Sequence, residues 1–107
     1  MRKATVFFKE QKAGILEELP NGFLFTYTND YFQNAQQKAI SVTFPKIQQQ
    51  YFSPTLFPVF FNMLPEGTNK QNICQALKID ENDFLGLLFA TAHFDTIGAI
   101  TIQAIHE

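Results

Sequence analysis

Hydrophobic and polar positions alternate through much of the first half of the chain, with the period of two that is typical of half-buried β-strands. This pattern predicts strands over Ala4–Lys9 and Ala13–Leu19, joined by a turn at Glu10–Lys12. It predicts two more strands over Phe23–Thr28 and Ile40–Phe44. The first half should therefore form a β-sheet.

The segments between these strands contain turn-forming and polar residues. Asn21-Gly22 predicts a tight turn, because both residues tolerate a positive φ. Asn29–Lys38 is predicted to be a polar loop, and Pro45 should end the fourth strand because it has no N–H for the ladder. Lys46–Ser53 is then interpreted as a polar linker.

The second half changes to helical spacing, and its first helix is apolar on nearly every side. Pro54 and Pro58 suit the opening turn of this helix, which is predicted to end near Leu64. Its main apolar face follows i, i+3, i+4, i+7, i+8 spacing: Leu56, Val59, Phe60, Met63 and Leu64. Such a helix must be covered on almost all sides. In a chain of 107 residues, we expect part of that cover to come from another protein.

Two more helices and a final strand complete the predicted elements. Thr68 and Gln71 have capping-box spacing for a helix whose inner face is formed by Ile73, Ala76 and Leu77. Asp80 is the predicted N-cap of a third helix, with Phe84, Leu87, Leu88 and Thr91 on one side. Gly98 should open a last strand with Ile100, Ile102 and Ala104 on one face. The predicted fold is a single α+β domain over residues 1–107. It has a mainly antiparallel sheet, or a small partly open barrel, of about five strands with three helices packed against it.

The composition is unusual in its phenylalanine content. The chain has 13 phenylalanines, 46% hydrophobic residues and 17% charged residues, where about 25% charged is usual. Two interpretations remain open. The rings either form a small aromatic core with a few scattered exposed members, or they include a contiguous apolar patch that marks a docking site.

Charge and cysteine content narrow the class of protein. The formal net charge of −2, with eight Lys and Arg residues, argues against a nucleic-acid interface. No apolar run reaches the roughly 18 residues of a membrane span. The start of the chain resembles no secretion signal, and the single Cys74 implies no oxidising compartment. We therefore expect a cytoplasmic protein.

Four segments together resemble a known family. They are Ile40–Pro45, Phe60–Gly67, Asp83–Leu88 and Ile97–Ile100, and they occur in the family's order. The chain resembles the N-terminal subdomain of HipA-type serine/threonine kinases, the toxins of bacterial toxin–antitoxin systems. In those kinases, the subdomain precedes a larger catalytic body.

The sequence lacks the parts of a phosphotransferase. It has no Gly-rich phosphate loop, no catalytic-loop Asp with its Asn, and no metal-binding Asp motif. We expect no enzymatic activity and no cofactor. As a free-standing copy, the chain resembles the small component of split systems of the HipBST kind. The resemblance implies binding in trans to a kinase that lacks this subdomain, and an antitoxin role. Binding of a DNA-binding antitoxin through the kinase is a further implied possibility.

Two alternatives remain open at the level of sequence. The chain could instead be a structural subunit that completes a split kinase without regulating it. It could also be a barrel-type binder of nucleic acid or a small ligand, although Phe23, Phe25 and Tyr27 lack the interleaved basic residues of a base-stacking platform and are better interpreted as core.

The corner between the first two helices is the predicted partner-binding site. Its residues are Met63, Leu64, Pro65, Glu66, Gly67, Thr68, Asn69 and Lys70. Proline stops one helix, glycine permits a positive φ, and the next helix start presents free N–H groups. The alternative is a simple helix–helix corner, with Met63 and Leu64 in the core.

The remaining chemistry-bearing residues predict no catalytic or metal site. Cys74, His93 and His106 match no metal-ligand spacing, so no metal is expected. Cys74 is interpreted as a small buried hydrophobic residue. His93 and Asp95 lie two residues apart and have no partner nucleophile, so catalysis by this pair is not expected.

Overall fold

Five strands form one antiparallel sheet in the computed structural model, which describes residues 2–64, 67–91 and 100–105. The strands are β1 (Lys3–Phe8), β2 (Gln11–Leu19), β3 (Gly22–Tyr27), β4 (Gln50–Ser53) and β5 (Ile100–Ile105). Their spatial order is β4-β3-β2-β1-β5, with every neighbouring pair antiparallel. Within the described residues, β4 and β5 are the two edges, so the sheet is open. This confirms the predicted α+β class.

The first hairpin turn is shorter than predicted. Phe8 pairs with Gln11, so the turn consists of Lys9 and Glu10 instead of residues 10–12. Their φ angles are 51° and 68°. Two central residues with positive φ match the twist of the flanking strands, although non-glycine residues adopt that conformation at some energetic cost.

The second hairpin turn is shifted by one residue from its predicted place. Leu19 pairs with Gly22, so Pro20 and Asn21 form the turn and Gly22 belongs to β3. A Cβ on Gly22 would lie 2.3 Å from the carbonyl oxygen of Ser53. The glycine is required here because β4 approaches β3 too closely for a side chain.

The fourth predicted strand was placed in the wrong segment. Residues 40–44 form turns, and the strand lies at Gln50–Ser53, inside the predicted polar linker. Ile40 and Phe44 are buried, but Val42 between them is 97% exposed. The hydroxyl of Tyr27 explains the difference, because it donates to the carbonyl of Phe44 (2.6 Å) and accepts from the N–H of Ile40 (3.1 Å). These backbone groups are therefore bonded to a side chain.

Four helices occur among the described residues, one more than predicted. They are α1 (Asn29–Gln33), α2 (Pro58–Phe61), α3 (Gly67–Leu77) and α4 (Phe84–Thr91). α1 lies in the predicted polar loop, where the side chain of Thr28 accepts from the N–H of Tyr31 and caps the helix. A helix of five residues is too short to show a helical period, so hydrophobic spacing could not predict it.

α2 is one turn long, whereas the sequence predicted a helix over Leu56–Leu64. Pro58 stands in its first turn, as predicted. After Phe61, the N–H groups of Met63 and Leu64 bond to carbonyls three residues earlier, both at 3.1 Å. The apolar residues at helical spacing are therefore only partly in α2. The others lie in the segments before and after this single helical turn.

The inner face of α3 differs from the predicted one. The structure buries Cys74 at 5% exposure and partly buries Ile73, whereas Ala76 is exposed and Leu77 is 53% exposed. The prediction of Cys74 as a buried hydrophobic residue is confirmed. The predicted inner positions Ala76 and Leu77 are wrong, because burial on the side of Ile73 and Cys74 does not extend to the last turn of α3.

α4 starts at a different cap from the one predicted. Asp83 accepts from the N–H of Gly86 through its Oδ1 (3.1 Å), and its carbonyl accepts from Leu87 (3.0 Å). Asp80 instead accepts from the N–H of Asn82 (2.8 Å) in the preceding turn. Asp83 therefore caps α4.

The core is aromatic where the sheet meets the loop and α2. Phe25 stacks on Phe44 with ring centroids 4.6 Å apart, and Phe60 lies 5.9 Å from Phe44. Phe25 and Tyr27 are fully buried, so their interpretation as core residues is confirmed, whereas Phe23 is only partly buried against the core. The largest fully buried side chains are Tyr27, Tyr31, Phe25, Phe44, Phe60, Leu16, Leu85, Leu87, Leu88, Ile102 and Val6.

Candidate partner-docking surface

An apolar groove with a volume of about 590 Å³ opens at the surface beside α2 and α4. We call it the aromatic groove. It is lined by Phe23, Pro54, Thr55, Leu56, Pro58, Phe61, Asn62 and Phe84. None of these residues is charged, and only Thr55 and Asn62 are polar. A concave, mainly apolar surface with a few polar groups is typical of a binding site.

Two phenylalanines form one wall of the aromatic groove. Phe61 is 46% exposed and meets Phe84 edge to face, with centroids 5.3 Å apart and an interplanar angle of 80°. The neighbouring Phe60 is fully buried. Consecutive residues of a helix point about 100° apart, so with Phe60 facing the core, Phe61 turns away from it and remains in contact with water.

An ion cluster fixes the start of α4, and with it the position of Phe84. The guanidinium of Arg2 bonds both carboxylate oxygens of Asp83 (2.9 and 3.1 Å) and both of Glu18 (2.7 and 3.0 Å). Since Asp83 also caps α4, the cluster ties this helix to β2 and to the residue that precedes β1. The bidentate geometry adds orientation as well as energy.

The same cluster changes the acidity of its members. The hydrogen bonds from Arg2 hold the pKa of Glu18 and of Asp83 below their ordinary values. The bonds to Glu18, and then to Asp83, raise the pKa of Arg2. All three groups therefore stay ionised at neutral pH, and Asp83 is engaged within the fold.

Glycine at position 22 shapes the other side of the aromatic groove. A Cβ there would lie 2.8 Å from the Cα of Pro54 and 2.3 Å from the carbonyl oxygen of Ser53. Its absence lets the end of β4 pack directly on β3, and Pro54 continues from that contact into the groove lining.

Lys70 brings a positive charge to the groove. Its Nζ lies 5.4 Å from the ring centroid of Phe84, within the range of a cation–π contact. The ion pairs between described residues are those of Arg2 with Glu18 and Asp83. Lys70 has no carboxylate partner in the part of the chain that the structure describes.

The predicted partner-binding corner is divided by the structure between the core and the surface. Leu64 is 9% exposed and Met63 is half-buried against the core, so both contribute to packing. Gly67 has the predicted positive φ of 59°, with open space where a Cβ would stand. Thr68 and Asn69 are exposed on the first turn of α3, where Thr68 lies inside the helix. Pro65 and Glu66 lie outside the described residues.

Of the predicted corner's residues that the structure describes, Lys70 is the one brought to the aromatic groove, through Phe84. The lining residues themselves were missed by sequence reasoning, since they come from β3, α2, α4 and the segment after β4. One signal for them was present in the Phe60-Phe61 pair. A helical turn that packs on one side cannot bury both rings.

A second exposed apolar feature lies in the loop between α1 and β4. Val42 is 97% exposed and Ile47 is 85% exposed. The loop is held by the Tyr27 hydroxyl and by the Nζ of Lys46, which donates to the carbonyls of Asn34 (2.7 Å) and Gln37 (2.9 Å). Neither apolar side chain lines the aromatic groove.

Metal and membrane chemistry receive no support from the described residues. No group of three or more His, Cys, Asp or Glu side chains is arranged there to hold a metal ion. No helix among them has both the length and the apolar character needed to cross a membrane. His93, Asp95 and His106 fall outside the described residues, so nothing is added to their sequence interpretation.

Comparison with known proteins shows the family. A family model described as "HipA N-terminal domain" matches residues 4–103. An uncharacterized protein of Haemophilus influenzae (strain ATCC 51907 / DSM 11121 / KW20 / Rd) is 35% identical over 103 residues, covering 96% of this chain and 92% of that protein. A solved structure named "N-terminal domain of HipA toxin" superposes with a TM-score of 0.77 at 30% identity, covering 100% of this chain and 95% of that one. The chain therefore belongs to the HipA N-terminal domain family.

Proposed function

We propose that this protein is a non-catalytic subunit that binds a HipA-type serine/threonine kinase in trans and inhibits it. The kinase partner would be one that lacks its own N-terminal subdomain, and the complex would act in the cytoplasm. A DNA-binding antitoxin would associate through the kinase.

The observation that carries the proposal is the combination of family and surface. The chain reproduces the N-terminal domain of HipA toxin over its whole length, and it also exposes an apolar groove that includes the half-exposed Phe61. In a fused kinase, such a surface can be covered within one polypeptide. On a separate chain, the same surface can bind the kinase as a partner, and exposed apolar concavities mark such interaction sites.

Inhibition is favoured because the chain resembles the small component of split systems of the HipBST kind, and that resemblance implies an antitoxin role. A partner that binds only the inactive conformation of a kinase lowers its activity by shifting that equilibrium. No residue of this chain needs to take part in phosphoryl transfer for this mechanism.

The test is co-expression with a HipA-type kinase encoded without the N-terminal subdomain. We expect relief of kinase-dependent growth arrest, a 1:1 complex on size exclusion, and lower autophosphorylation of the kinase in vitro. Failure to form a complex, together with unchanged growth arrest, would refute the proposal.

The second candidate is a structural subunit that completes the kinase fold. It is favoured by the near-complete overlap with the HipA domain, since a chain with the whole domain could simply replace the missing part. The phosphorylation assay separates the two functions. An inhibitor lowers the activity of the kinase, whereas a completing subunit leaves it unchanged or raises it.

A further inference from the structure

We propose that the aromatic groove binds a segment of the kinase partner that combines an apolar side chain with a neighbouring carboxylate. The apolar side chain would pack against Phe61 and Phe84, and the carboxylate would reach Lys70. The identity of the partner rests on the proposed function, whereas the chemistry of the segment follows from the groove.

The apolar half of the inference follows from exposure and from fixed geometry. Phe61 is 46% exposed and Phe84 is partly buried, and their edge-to-face contact holds one ring against the other. The cap of α4 by Asp83, which Arg2 holds in place, fixes the start of the helix that carries Phe84. A groove whose walls are already in position loses little conformational entropy on binding.

The carboxylate follows from the charges around the groove. No described lining residue is charged, and Lys70 lies over Phe84 without a carboxylate partner among the described residues. The nearest acidic group in sequence to Phe84 is Asp83, which is already bonded to Arg2. Among the described residues, Lys70 is therefore an available positive charge beside the groove, which favours an anionic group on the incoming segment.

Other occupants fit less well. In a twofold dimer formed groove to groove, both copies of Lys70 would face the same interface, and their like charges would repel. Nucleic acid and anionic lipid present many phosphates and need several cations, whereas no described lining residue is charged and Lys70 reaches the groove only through Phe84. A protein segment with one carboxylate beside one apolar side chain matches both features.

A peptide titration followed by amide NMR tests the groove without the kinase. The probes are acetyl-Glu-Phe-Leu-amide and its basic counterpart, acetyl-Lys-Phe-Leu-amide. We expect saturable shifts at the amides of Phe61, Asn62 and Phe84, with about threefold tighter binding of the acidic peptide, the scale of an exposed ion pair. Lys70→Met should remove this preference, since it keeps an unbranched apolar side chain but loses the charge. Equal affinities, or shifts confined to other surfaces, would overturn the proposal.

A matched set of variants tests the same surface in the kinase complex. Phe61→Ser should weaken the complex about tenfold and Lys70→Glu about fivefold, which is the range of an interface anchor and of a reversed surface charge. Val42→Ser removes an apolar side chain outside the groove that is even more exposed than Phe61, and it should change the affinity less than twofold. Thermal melts of all three variants confirm folding.

The outcomes separate the inference from the proposed function. If the kinase does not bind but the acidic peptide occupies the groove with the Lys70 dependence, the proposed function fails and the chemistry of the groove is supported. If the kinase binds but Phe61→Ser and Lys70→Glu retain wild-type affinity, the proposed function is supported and the inference is overturned. Groove-dependent self-association of the free protein would also overturn it.

Discussion

Replacing Tyr27 by phenylalanine should destabilise the protein far more than the loss of one oxygen atom suggests. The Tyr27 hydroxyl donates to the carbonyl of Phe44 (2.6 Å) and accepts from the N–H of Ile40 (3.1 Å). Phe44 is 1% exposed and Ile40 is 6% exposed. Tyr27→Phe therefore leaves a buried acceptor and a buried donor without their partner. Each such group costs about 1–3 kcal/mol, so we expect a loss of at least about 2 kcal/mol in the free energy of unfolding.

Tyr31→Phe is the matched control. The Tyr31 hydroxyl donates to the carbonyl of Lys38 (2.6 Å), in a partly buried position. Its removal should cost about 1 kcal/mol. Since about 1 kcal/mol corresponds to roughly 4–8 °C in a domain near this size, the two variants should differ by about 5–20 °C in melting temperature.

Denaturant unfolding and amide hydrogen exchange measure the effect directly. The N–H of Ile40 should exchange much faster in Tyr27→Phe, because its acceptor is gone. The exchange rates of amides in β1 should change only as far as the global free energy of unfolding changes. A loss below about 0.5 kcal/mol, together with unchanged protection of the Ile40 amide, would refute the role of this hydroxyl.

Three more predictions concern the turns, the groove and the ion cluster. Glu10→Gly should stabilise the protein by about 1 kcal/mol in urea unfolding, because glycine adopts the φ of 68° without strain. Gly22→Ala should cost at least about 2 kcal/mol, since its Cβ would lie 2.3 Å from a carbonyl oxygen. The lowered pKa values of Glu18 and Asp83 imply that their contribution is present above about pH 4 and is lost as the pH falls through the folded values. Arg2→Met should remove this acid sensitivity. The free energy of unfolding at neutral pH should fall by no more than about 1 kcal/mol, because the paired side chains are about one-third exposed.

A specific result would contradict each of these predictions. A neutral or destabilising Glu10→Gly would show that the turn does not hold its positive φ in solution. Wild-type stability of Gly22→Ala would mean that β3 and β4 separate without cost. For the ion cluster, Lys12→Met removes one exposed positive charge elsewhere on the surface. An identical change of the acid profile in Lys12→Met and Arg2→Met would show that only net charge matters.

Strand alternation predicted β1, β2 and β3 well, because each has one buried and one more exposed face. It failed at residues 40–44, where Ile40 and Phe44 are buried but Val42 points to solvent. The deciding interaction is a hydrogen bond to Tyr27, from a strand that is distant in sequence. Local periodicity contains no information about such a bond, and the strand at Gln50–Ser53 shows no alternation because its two aromatic residues, Tyr51 and Phe52, are adjacent.

The candidate site was predictable only in part for the same reason. The positive φ of Gly67 follows from its residue type and from its position after Pro65 and Glu66. The aromatic groove instead depends on how four separate segments meet, and on the single-turn length of α2. The sequence did indicate an excess of apolar surface, through its phenylalanines and low charge, but it could not place that surface between Phe61 and Phe84.

The resemblance to HipA-type kinases identified the family even though the strand predicted at residues 40–44 was wrong. The motif segments that matched the HipA-type kinases include residues 40–45, which the alternation assigned to a strand. The resemblance depends on residue identities in order, so it does not require the secondary structure of each segment to be known. An error in one predicted strand therefore did not affect the family resemblance. The family model and the solved structure both support that family.

The most direct test of the account is the affinity, measured by isothermal titration calorimetry, of the purified protein for a HipA-type kinase without its N-terminal subdomain. We expect a saturable 1:1 complex whose affinity falls about tenfold with Phe61→Ser and is retained with Val42→Ser. Absence of any binding heat for the wild-type protein, with both proteins folded and the result repeated at a second temperature, would contradict it.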